Sequence, residues 1–96
     1  MRKIFAAPNI LIAAILLVLY RKELQYEGCR YHFDTDEYKF WFHDPHDRGP
    51  AAIAQIRKDS MVPARAFKGA LHRLHLDFQE EKKRVGNPPY REVSRG

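Results

Sequence analysis

The chain has 96 residues, a formal net charge of +5 and a single cysteine, Cys29. That length allows one small unit, and the lone cysteine excludes an internal disulfide framework, a twin Cys-x9-Cys hairpin and a zinc ribbon. The charge is unevenly spread: residues 21–48 hold 5 basic and 7 acidic side chains, and residues 49–96 hold 10 and 5. The basic half suits anionic lipid, nucleic acid or an acidic protein surface, and charge alone does not choose among them.

The first element is the uncharged run Ile4–Tyr20, IFAAPNILIAAILLVLY, bracketed by Arg2-Lys3 and Arg21-Lys22. Read as one helix it reaches roughly 26 Å, close to the ~30 Å hydrocarbon core of a bilayer. A further turn carrying Leu24 and Tyr26 makes up the difference, and the flanking cations can snorkel to headgroups. Pro8 then falls in the first turn, where its missing N–H costs nothing, and Gly28 is the natural helix stop. No small-x-small cleavage site follows, so the run reads as a retained anchor, not a removed signal.

Residues 29–43, CRYHFDTDEYKFWFH, form two aromatic runs flanking Asp34-Thr35-Asp36-Glu37, and they predict a β-hairpin with Tyr31 and Phe33 facing Tyr38, Phe40 and Phe42. Residues 43–50 make a loop by their proline and glycine content. Pro50 opens a short helix over 51–59. Pro63 opens an amphipathic one over 63–85, with Phe67, Leu71, Leu74 and Phe78 at steps of three and four. Gly86 and Asn87-Pro88-Pro89 end it, and residues 87–96 read as an extended tail. The organisation expected is therefore mainly α: a transmembrane helix with its juxtamembrane turn over 1–28, an aromatic hairpin and loop over 29–49, a helical segment over 50–86, and the tail.

Chemistry is sparse. His43, His46, His72 and His75 would suit a metal if they converged with a carboxylate, but no His-Glu-x-x-His sequence or cysteine pair supports a site. Asp34-Thr35-Asp36 resembles the start of a calcium loop. Lys39 and Pro45 stand where that loop needs glycine and glutamate, which rejects it. There is no nucleophile elbow, phosphate-cradling glycine loop or dinucleotide fingerprint. No catalytic residue, cofactor or metal is expected, and the chain reads as a non-enzyme. The candidate contact residues are Arg21 and Lys22 for lipid headgroups, and Phe40, Trp41, Phe42, Phe67, Leu71, Leu74 and Phe78 for partner docking.

In its plan, with Met1-Arg2-Lys3, the Ile4–Tyr20 span and the Leu24–Gly96 tail, the chain resembles the small accessory subunits of mitochondrial inner-membrane complexes. The resemblance implies a non-catalytic structural subunit of a respiratory-chain or ATP-synthase assembly, single-pass in the inner membrane. It further implies contact with neighbouring subunits and membrane lipid, including cardiolipin, no nucleic acid, and no homo-oligomer by itself. Two alternatives come from the residues: a free-standing membrane-anchored regulator with a basic lipid-binding helix, and a membrane-tethered metal-binding enzyme.

Overall fold

The N-terminal apolar run is two elements, not one. In the computed structural model, which describes residues 3–59 and 61–86, Ile4–Ala7 is a strand, β1, and only Ile10–Leu19 is helical, α1. Pro8-Asn9 separates them. The Asn9 side chain accepts a hydrogen bond from the Ile12 amide at 2.9 Å, so it is the N-cap of α1, and the helix cannot extend back through Ile4. Ten residues of helix make about 15 Å, half of what a hydrocarbon core requires. Among the described residues no helix is long and apolar enough to cross a membrane. The expected transmembrane anchor, and with it the single-pass inner-membrane placement, is therefore not supported. The apolarity has another use: Ile12, Ala13, Ala14 and Leu16 are buried in the protein's own core.

Among the described residues the architecture is α+β, three helices and one three-stranded antiparallel sheet, in place of the mainly α plan with an extended tail. Beyond α1 the chain turns at Arg21–Glu23, buries Leu24, and enters β2 (Gln25–His32), then β3 (Glu37–His43). The hairpin is thus longer than the aromatic pattern indicated, and its turn occupies residues 33–36. Gly28 does not stop a helix. It lies in β2 at a bulge between Tyr26 and Gly28, with φ +121°, a backbone conformation that only glycine adopts without strain. Strand order is β1-β3-β2, so β3 is central. β1 pairs Phe5 with Phe42 and Ala7 with Phe40, while β2 pairs Tyr26 with Phe42, Cys29 with Phe40 and Tyr31 with Tyr38.

Those residues project to one face, which the helices cover. Phe42 from the sheet and Leu16 and Leu74 from the helices are the largest fully buried side chains among the described residues. Helix α2 (Gly49–Lys58) starts at a junction built around Asp44, itself only 2% exposed. The Asp44 carboxylate accepts from the Arg48 amide at 2.6 Å and the Gly49 amide at 2.7 Å, while its own amide donates to the Lys3 carbonyl at 2.7 Å. An orphan pair of helix-start donors is thereby satisfied by a side chain from the preceding loop. Gly49 must be glycine here, because a Cβ would lie 2.8 Å from the Phe5 ring.

Helix α3 (Ala64–Val85) carries the expected apolar stripe and ends at Gly86, φ +67°. Leu74 is buried and Phe67, Leu71 and Phe78 pack partly buried against the core. Near its C-terminal end the inward stripe turns polar and fastens to β2. Tyr26 donates to Asp77 at 2.7 Å, and the Tyr31 amide donates to the buried Glu81 at 2.9 Å. Arg84 clamps Glu81 with two bonds of 2.8 and 2.6 Å. A carboxylate therefore covers an outward amide of an edge strand, one of the ways a sheet edge is kept from pairing with another chain. The extended tail expected over 87–96 lies outside the described residues.

Candidate functional site

Alternation along the strands puts a second set of side chains on the opposite face of the sheet. Ile4 comes from β1, Gly28, Arg30 and His32 from β2, and Lys39, Trp41 and His43 from β3. None of these seven is buried, and Ile4 is 53% exposed. None of the described helices covers them, so among the described residues this antiparallel sheet has one packed face and one bare one.

The bare face has a defined chemistry. His32 and Trp41 stack with ring centroids 5.2 Å apart and an interplanar angle of 32°. Trp41 is paired in register with Gly28, which has no side chain, so one flank of the indole borders a cleft of about 330 Å³. Ile4, Glu27, Gly28, Arg30, His32 and Trp41 line it. Beside the cleft Arg30 lies directly opposite Lys39. Like charges in that position destabilise a sheet. Lys39 has a long ion pair of 3.9 Å with Glu37, and one Arg30 nitrogen donates to the Cys29 carbonyl at 2.9 Å. A guanidinium has five N–H groups, so among the described residues this bond leaves Arg30 with donors for an anion.

A second cleft, about 500 Å³, runs between β2 and α3 and is lined by Tyr26, Cys29, Arg30, Arg73, Asp77 and Glu81 among others. Of its polar groups, Tyr26, Asp77, Glu81 and Arg84 are committed to holding α3 on β2. Arg73 sits 5.1 Å over the Tyr26 ring. Burial, followed by the hydrogen bond to Asp77, raises the Tyr26 phenol well above its ordinary range. Burial also pushes the Cys29 thiol up to about 11, with the Glu81 and Asp77 charges adding to the effect. The thiol is therefore neutral at physiological pH and a poor nucleophile. The Arg84 hydrogen bond holds Glu81 below the usual carboxylate range against the opposing pull of burial. This is a fastening, not a reaction centre.

The residues singled out from sequence are dispersed. Phe40 and Phe42 point into the core with Leu74, and Phe67, Leu71 and Phe78 pack around it, so the stripe meant for a partner is used internally. Trp41 alone of that set faces outward on the sheet. Arg21 and Lys22 lie exposed in the turn after α1. His43 is on the bare face, His46 in the loop, and His72 and His75 on the exposed side of α3. Among the described residues no three His, Cys, Asp or Glu side chains converge to hold a metal. Sequence reasoning does not group Gly28, Arg30 and His32 with Trp41, because their proximity depends on strand register and on the bulge.

No family model matches this chain, nor does any curated protein or solved structure.

Proposed function

We propose that the chain is a non-catalytic binding module whose working surface is the bare face of the sheet, and that it binds single-stranded nucleic acid. The observation carrying this reading is the stacked His32–Trp41 pair beside the directly opposed Arg30 and Lys39. Flat aromatic groups on an open sheet give unpaired bases a stacking platform, and neighbouring cations track the phosphates. Phosphate oxygens would also relieve the Arg30–Lys39 repulsion, so the occupant supplies what the free sheet lacks. A second copy of the chain would bring further cations to the same place. The net charge of +5 favours association with a polyanion.

The expectation of a membrane-complex subunit without nucleic acid rested on the anchor, and it loses its premise with the anchor. Trp41 is the only tryptophan, so its emission reports on this face alone. Titration with an oligothymidylate of about ten nucleotides is expected to quench it, with an affinity that falls as salt rises. Unchanged emission at saturating oligonucleotide, with no complex in sedimentation, removes the reading.

A further inference from the structure

The helix layer carries a surface that neither the core nor the bare face uses. α1 is apolar on every side, yet Leu11 is 55% and Leu19 41% exposed, and Leu17 and Val18 are half-buried. A helix apolar all round belongs in a core, and this one is only partly covered. Beside it lies a recess of about 510 Å³ between the C-terminal half of α1 and the N-terminal half of α3. Leu17 and Val18 wall it, while Ala66, Gly69 and Ala70 leave its α3 side low. A Cβ added to Gly69 would meet no described atom within 4 Å, so that position is open to an incoming side chain. The charged residues lining the recess are both cations, Arg21 and Arg73. Neither stretch that builds it, residues 8–22 or 60–76, contains an acidic residue, and Arg65 and Lys68 are exposed on the same part of α3. Cations in the first turns of a helix oppose its dipole, so these do not help α3 to fold.

We infer that this recess docks an acidic amphipathic segment of a partner protein, its apolar side chains seated between Leu17, Val18 and Gly69 and its carboxylates on Arg21 and Arg73. Charge complementarity selects the partner: an apolar trough edged by cations matches a segment that interleaves leucines with glutamates. A second copy of the chain would bring the same cations into opposition. Single-stranded nucleic acid would find partners for its phosphates but no ring on which to stack, the lining being aliphatic and small. Arg73 also stands over the Tyr26 ring, so Arg21 is the cation to test. The recess shares no lining residue with the cleft beside Trp41, and this contact is therefore independent of the nucleic-acid reading.

The experiment uses the intact protein and two fluorescein-labelled peptides of about 15 residues. Both carry leucines at steps of three and four, with glutamate at the remaining positions of one and lysine at those of the other. Anisotropy is expected to show the glutamate peptide binding at least about tenfold more tightly than the lysine peptide. Gly69→Leu fills the recess and keeps or raises the melting temperature, because leucine is the better helix former and has open space there. It is expected to weaken the glutamate peptide about tenfold, and Arg21→Glu about as much, while quenching of Trp41 by oligothymidylate is the same in Gly69→Leu as in the unaltered protein. Binding of the two peptides within about twofold of each other, binding of neither, or glutamate-peptide binding unchanged in Gly69→Leu overturns the inference. Loss of oligothymidylate binding in Gly69→Leu assigns the recess to nucleic acid and overturns it as well.

Discussion

The two faces of the sheet are made by alternate residues of the same strands, and they are built to opposite rules. On the packed face Phe42 is fully buried, between Phe5 at 5.9 Å and Tyr26 at 5.4 Å, ring centre to ring centre. One residue away, Trp41 lies on the bare face with His32 stacked on it. The helix side optimises burial, whereas the other side tolerates like charges in direct opposition and leaves an indole beside an open cleft. Neither feature of the bare face helps a small protein fold. The difference teaches where to look for stability and where to look for binding.

The strongest test of this division is Phe42→Ala. Truncating a buried aromatic costs about 3–5 kcal/mol, a large part of the ~5–15 kcal/mol that holds a small domain. The urea midpoint should collapse, and any binding should be lost with the fold. Next in size is Glu81→Ala, which orphans the Tyr31 amide and should cost about 1–3 kcal/mol, read from the same unfolding curve.

The pH dependence of stability follows from the same fastening. Glu81 has a lowered folded-state pKa, so its contribution is complete above the ordinary carboxylate value of about 4.3 and disappears as pH falls through the lowered value. Tyr26 and Cys29 are raised, Cys29 to about 11, so the folded state holds their protons more tightly. Their contribution is present below their unfolded pKa values and is lost as pH rises above them. Thermal melts across pH should therefore show an acid limb that Glu81→Gln flattens and an alkaline limb that Tyr26→Phe reduces.

Two further effects sharpen the contrast. Gly28→Ala forces a Cβ onto φ +121° and should cost about 1–3 kcal/mol. Trp41→Ala should cost less than about 1 kcal/mol in stability while weakening oligonucleotide binding by about tenfold or more, as loss of one base stack implies. A Trp41 variant that melts like Phe42→Ala would erase the distinction between the faces.

Much of the C-terminal half could be read directly from the chain. Pro50, Pro63 and Gly86 punctuate α2 and α3, and the step of three and four from Phe67 to Phe78 marks a helix with one apolar side. The N-terminal half misleads for a physical reason. Apolar runs of strand and of buried helix have the same composition, so IFAA and ILIAAILLVL fuse into one apparent span unless Asn9 is recognised as a cap. Gly28 is ambiguous in the same way, because a helix stop and a β-bulge both need its backbone freedom. The bare face was legible only in Trp41. Arg30, His32 and Glu27 join it through cross-strand register and a bulge, which are properties of pairing and not of local sequence. The roles of the carboxylates Asp77 and Glu81 are hidden from local sequence for a comparable reason, since what they satisfy belongs to β2.

The strand order has a bearing on how the protein is made. β1 leaves the ribosome before β2 and β3, but its partner is the last of the three in chain order, with Ile4 aligned to His43. Until that partner has been synthesised, the greasy β1 segment has no mate in the sheet. Nascent chains should therefore engage holding factors early and release them only once β3 emerges.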